Sequence, residues 1–123
     1  MSPEAPTTTA PLMVACLCAE WCGVCNAYTQ TFEALKARFP GVRFVWIDVE
    51  DEEDLIHPLE VENFPTLLIA QGHQARFFGP LRPQIETVER LIRAHLDDRD
   101  APALAHPDVA ALAARLSANP RSA

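Results

Sequence analysis

The chain has no apolar run near the roughly 18 residues that a bilayer-spanning helix needs. Membrane insertion is therefore not expected. It also has no excess of positive charge: Lys and Arg number 10 against 17 Asp and Glu, for a formal net charge of -7. An acidic surface repels phosphate backbones, which argues against nucleic-acid binding. The first residues, Met1-Ser2-Pro3-Glu4-Ala5-Pro6, hold no basic stretch ahead of an apolar core, so they do not read as a secretory signal. Leu12 to Leu17 is too short for a signal core and reads as a strand. The expected compartment is the cytoplasm, where thiols stay reduced. No internal repeat is found. Finally, the cysteines are not spread along the chain as a structural disulfide framework would spread them to close long loops. Cys16, Cys18, Cys22 and Cys25 are clustered instead, which suggests a reactive or metal-binding site.

What the chain does hold is material for one core. Its 123 residues, 49% apolar and 22% charged, suit a single globular domain. Residues 1–11 contain Pro3, Pro6 and Pro11 and no apolar period, and read as a mobile tail. Leu12 to Cys18 is nearly continuous in apolar character, as a strand buried on both faces would be. Cys25, Tyr28, Phe32, Leu35 and Phe39 then recur with helical spacing, and Pro40-Gly41 ends that helix. Val42 to Ile47 is a second buried strand, so the order predicts a right-handed parallel βαβ unit.

The acidic stretch from Asp48 to Asp54 reads as a solvated loop leading into a short helix that runs to about Leu59. Thr66 to Ala70 is a third strand, Gln71 to Gln74 a hairpin turn, and Ala75 to Phe78 an antiparallel return, with Gly79-Pro80 breaking the pattern. Pro83 suits the opening of a helix whose buried face is Ile85, Val88, Ile92 and Leu96. Beyond Asp100 the composition turns to Ala and Pro. Pro107 to Leu116 predicts one more helix, with Val109, Leu112 and Leu116 as an apolar stripe that packs on the domain or on a partner. The expected division is a tail at 1–11, a domain at 12–99 and an extension at 100–123.

Trp21-Cys22-Gly23-Val24-Cys25 sits where the first strand hands over to the first helix. At a helix N-terminus, unpaired N–H groups and the dipole favour a thiolate, and the thiolate is the nucleophile. Two intervening residues place the second sulfur one turn on, within disulfide reach. Cys25 also falls on the apolar helix face, so it should be buried. An accessible attacking thiol above a buried resolving thiol suits exchange through a mixed disulfide. The same spacing serves zinc sites, so the motif alone leaves that reading open. Pro65, in Asn63-Phe64-Pro65-Thr66, stands at the start of the third strand, where it can donate nothing to the ladder. A cis proline beside the cysteines would leave backbone groups free to pair with an extended substrate.

Ala19-Glu20-Trp21-Cys22-Gly23-Val24-Cys25, then Phe64-Pro65-Thr66-Leu67-Leu68, then Gly79, resembles the thioredoxin family over roughly residues 12–97. The resemblance implies a thioredoxin-like α/β fold with a reduced central four-stranded mixed sheet flanked by helices, here with an extra C-terminal helix. It implies a thiol–disulfide oxidoreductase that reduces protein or small-molecule disulfides, with Cys22 as nucleophile and Cys25 as resolving thiol. Trp21, Phe64, Pro65, Thr66 and Gly79 correspond to residues around the substrate groove, with Pro65 as the cis proline. The implied partners are disulfide-containing proteins and an electron-donor reductase. No bound cofactor or metal is required, and a monomer is expected.

The chain departs from the family pattern at several positions. Val24 replaces the usual proline between the cysteines, a pair that tunes redox poise. Cys16 stands where the family carries a buried Asp, Trp46 at the position of its Lys partner, and Cys18 at that of an aromatic. Only 11 residues precede Leu12, so the family's N-terminal strand and helix are not expected. Cys16 and Cys18 alternate with Leu17 and so share one face of the strand. The plain reading makes both small buried apolar residues. A second makes one of them a redox partner of Cys25, and a third joins all four cysteines on a metal. Trp46 reads as core. His57, His73, His95 and His106 read as surface residues. Alternatives to the reductase are a specialised partner-bound factor of the same fold and a non-catalytic interaction module.

Overall fold

Alternation along the first strand decides the architecture. The computed structural model describes residues 12–19, 22–57, 59–61, 63–80, 84–97 and 103–118. The expected tail at 1–11 and the helix-opening Pro83 lie outside that set. Strand β1, Leu12–Cys18, is buried along its whole length. Leu12, Val14, Cys16 and Cys18 join one core cluster, and Met13, Ala15 and Leu17 join another on the opposite face. One strand therefore anchors two cores.

The remaining elements follow in the order α1 (Gly23–Arg38), β2 (Arg43–Asp48), α2 (Glu53–Ile56), β3 (Thr66–Gln71), β4 (Gln74–Pro80), α3 (Ile85–Asp97) and α4 (Pro107–Ala118). The four strands form one mixed sheet in the order β2-β1-β3-β4. β1 pairs parallel with β2, in the register Cys16 opposite Trp46, and antiparallel with β3, with Leu17 opposite Thr66. A parallel neighbour needs a crossover, and α1 supplies it.

Helix α1 buries Cys25, Tyr28, Phe32 and Leu35, the stripe read from sequence. It ends at Arg38, before Phe39, because the residue preceding a proline is pushed out of helical conformation and Pro40 follows. β3 and β4 close through Gly72 and His73, with Gly72 at φ 62, a left-handed conformation that costs glycine little. The sequence expectation that Gly79-Pro80 breaks the pattern is corrected. β4 continues through both, with Gly79 opposite Leu67 and Pro80 opposite Thr66. β4 is the sheet edge, the place in a sheet where a strand tolerates a proline.

One face of the sheet is covered by α1 and α3, through Val88 and Ile92. The other is covered by α2 and α4, through Ile56, Val109, Leu112, Ala113 and Leu116. The C-terminal stripe thus packs on its own domain. Three polar contacts seat it. Arg43 Nη1 donates to the Leu116 carbonyl at 2.7 Å, Arg115 Nη1 to the Leu55 carbonyl at 2.8 Å, and the Leu104 N–H to the Ala75 carbonyl at 2.7 Å.

Candidate active site

The cysteines gather at the C-terminal end of β1. The Cys18 carbonyl accepts the Val49 N–H at 2.9 Å, which fixes the strand end against the chain leaving β2. The Cys22 N–H then donates to the Ala19 carbonyl at 3.0 Å, and the Cys22 carbonyl accepts the Asn26 N–H at 3.1 Å. These two bonds turn the chain into α1. Cys22 is the N-cap, in extended conformation (φ -86, ψ 117), and its side chain makes no capping hydrogen bond. It is half-buried, with a free thiol.

Cys25 lies one turn further on and is 1% exposed. The expected pairing was with Cys22. In the structure Cys25 is disulfide-bonded to Cys18, with a Cα–Cα separation of 5.8 Å. The cause is placement. Cys18 ends β1 on the face that α1 covers, and Cys25 opens the buried stripe of α1, so the two side chains meet in the core. Cys16 and Cys18 are both buried. The apolar reading holds for Cys16 and fails for Cys18, which is covalently engaged. Cys16 Sγ lies 3.5 Å from Cys18 Sγ. The bonded Cys18 carries no proton, so Cys16 is the donor in that contact. Burial pushes the Cys16 thiol far above its ordinary range, which keeps it protonated. The Tyr28 hydroxyl is raised too, first by burial and then by the nearness of Cys16, and it is buried without a hydrogen-bond partner.

Phe64, Pro65 and Thr66 reach the same end of the sheet, because Thr66 pairs with Leu17 at the end of β1. The Phe64–Pro65 peptide is cis. The Thr66 hydroxyl donates to the Asn63 carbonyl at 2.5 Å and closes the turn around it. Phe64 and Cys22 pack against the same core cluster. Gly79 sits one strand away, and a Cβ there would meet only the Phe77 ring, at 3.6 Å. That is ordinary contact, so the position takes a small side chain without strain. Trp21 lies outside the described residues. No group of three or more His, Cys, Asp or Glu side chains is placed to hold a metal ion among the described residues.

Two features escaped the sequence reading. Val24 is 47% exposed, the one large apolar side chain so exposed among the described residues, and it stands between the two motif cysteines. Its phase off the Cys25–Tyr28–Phe32 stripe carried that signal. The second is a cleft of about 430 Å³ beside Cys18, walled by Asn26, Phe32, Trp46, Asp48 and Asp51 among others. Trp46 is not full core: it is partly buried and meets Phe32 edge-on at 5.4 Å. Asp48 Oδ1 accepts the N–H groups of Glu50 and Asp51 at 2.9 and 3.1 Å, which folds the acidic loop into a turn at the cleft.

The family model described as Thioredoxin matches residues 7–90. A thioredoxin of Oryctolagus cuniculus is 32% identical over 84 residues, covering 66% of this chain and 80% of the relative. Thioredoxin H2-1 of Oryza sativa subsp. japonica is 28% identical over 93 residues, covering 74% of this chain and 67% of the relative. Among solved structures, thioredoxin from Trypanosoma brucei brucei superimposes with a TM-score of 0.65 at 23% identity, over 79% of this chain and 88% of that one, and so shares the fold. With the family match spanning most of the chain and the paired cysteines at the strand–helix junction, the chain belongs to the thioredoxin family of thiol–disulfide oxidoreductases.

Proposed function

We propose that this chain is a protein-disulfide reductase in which Cys22 attacks and Cys25 resolves. The observation that carries the reading is the difference in placement between the two sulfurs. Cys22 is partly exposed at the N-cap of α1 and its sulfur is not spent on capping, whereas Cys25 is buried one turn below. The Cys22 thiolate attacks one sulfur of a substrate disulfide, forming a mixed disulfide and releasing the other sulfur as a thiolate. Cys25 then attacks Cys22 Sγ, the mixed disulfide breaks, and the substrate leaves as a dithiol. Two electrons have passed to the substrate and the chain is left with a Cys22–Cys25 disulfide. A reductase or another dithiol protein returns them. Val24 offers an apolar contact at the point of attack, and the turn from Asn63 to Thr66 offers backbone groups to an extended substrate. A monomer in a reducing compartment such as the cytoplasm suits this direction of exchange.

The test is insulin reduction by the full chain with dithiothreitol as electron source. The reading expects turnover above the uncatalysed rate and its loss in Cys22→Ser. A wild-type rate equal to that of Cys22→Ser would overturn it.

A further inference from the structure

Cys25 is bonded to one cysteine and stands at CxxC spacing from another. Cys22 is one turn before it in the helix, and Cys18 is beneath it at the end of β1. A resolving thiol with two possible partners can move its disulfide without any change in total oxidation. Cys18 is held where such a move needs it. Its carbonyl is fixed by the Val49 N–H at 2.9 Å, its Cα is 5.8 Å from that of Cys25, and its sulfur receives a hydrogen bond from Cys16 at 3.5 Å.

We propose that Cys18 is a further redox residue of the site, which takes the disulfide over from Cys22 after each turnover and returns Cys22 as a free thiol. This rests on the reading that Cys22 and Cys25 carry the exchange. In the step, the Cys18 thiol loses its proton and its sulfur attacks Cys25 Sγ. The Cys22–Cys25 bond breaks, the Cys18–Cys25 bond forms, and the Cys22 sulfur leaves and takes up a proton. One disulfide is present before and after, so no oxidant or reductant is consumed. The cleft beside Cys18, with Asp48 and Asp51 in its wall, gives the departing proton a route to water. Cys16 is fully buried and is not part of the cleft wall, and its S–H donates to Cys18 Sγ at 3.5 Å. The reverse attack by Cys22 on Cys25 brings the disulfide back to the surface, where a reductase can read it. The oxidised protein thus holds its disulfide in the core, shielded from solution thiols, while still presenting a thiol at Cys22.

The experiment is differential alkylation of the full-length oxidised chain. It is oxidised by insulin turnover, quenched in acid and denatured, and its free thiols are blocked with N-ethylmaleimide. It is then reduced, labelled with iodoacetamide and mapped by peptide mass spectrometry. The proposal expects maleimide on Cys16 and Cys22, and iodoacetamide on Cys18 and Cys25, in the larger share of chains. Native labelling of the oxidised protein should reach Cys22 in the same share. Cys18→Ala and the bulkier Cys18→Val should both move the disulfide to Cys22–Cys25 and abolish that native labelling. A Cys22–Cys25 bond in the larger share of wild-type chains would overturn the proposal. If insulin reduction is intact in that case, the reductase reading survives and only this inference falls. If Cys22→Ser reduces insulin as well as wild type does, the reading itself falls.

Discussion

The two faces of the sheet are built from the same strand and do different work. On one, Cys16 and Cys18 of β1 meet Cys25 and Tyr28 of α1, so sulfur and an unpartnered hydroxyl sit among the aromatics. On the other, Met13, Ala15 and Leu17 share an apolar cluster with Val109, Leu112 and Leu116 of α4, with Arg43 and Arg115 donating to backbone carbonyls at its margin. A buried thiol packs nearly as a small hydrophobe, so the reactive face sacrifices little cohesion. The second face carries the obligation to hold β1 in register. Among the described residues, the C-terminal helix supplies most of the helical side chains that cover that side, with Ile56 of α2 beside them. Chemistry and support are thereby divided across one β-strand, at single-residue alternation.

That division can be broken from either side. The largest effect is expected at Cys22. Cys22→Ser should bring insulin reduction down to the rate of the dithiol donor alone while leaving the urea midpoint nearly unmoved, because the residue is only partly buried and serine nearly matches its size. Leu112→Ala should do the reverse. It is fully buried under the sheet, and its truncation should cost about 2–5 kcal/mol in urea unfolding, with insulin reduction unchanged at temperatures where the protein is folded. A Leu112→Ala protein that loses exchange while folded would show that the faces are not separable.

Smaller effects sharpen the picture. Arg115→Met removes the donor to the Leu55 carbonyl that ties α4 to α2, and should cost about 1 kcal/mol by the same measurement. On the cysteine face, Glu89 bridges α1 and α3 through Arg38 at 2.6 Å and lies 2.9 Å from Arg93. Hydrogen bonding from Arg93, with help from Arg38, holds its carboxyl below the usual carboxylate range. A lowered folded-state value means the bridge contributes above the ordinary carboxylate range and is lost as the pH falls through the folded value. The gap in melting temperature between wild type and Glu89→Gln should therefore shrink on acidification, and a gap that widens would contradict the assignment.

Much of the fold was legible because the pattern of β1 and the stripe of α1 are local and unambiguous. The run LMVACLC allows no solvent face, and Cys25, Tyr28, Phe32 and Leu35 allow only one buried side. Pro65 as a cis proline was legible only through the resemblance to the family, since a proline at a strand start can equally be trans. What the sequence withheld were choices made by packing in space. The stripe on α4 showed that a face is buried and not what buries it. The alternation of Cys16 and Cys18 showed that they share a face, while the contact of Cys18 with Cys25 depends on how closely α1 approaches the end of β1. Gly79-Pro80 looked like a break because edge position, which makes a proline harmless, is a property of the sheet order.

The most direct test of the central claim is to trap the intermediate. Cys25→Ser, mixed with insulin after full reduction, should accumulate a covalent adduct, and peptide mapping should place the mixed disulfide on Cys22. An adduct on Cys16 or Cys18, or none at all from a folded protein, would contradict the assignment of Cys22 as the attacking thiol.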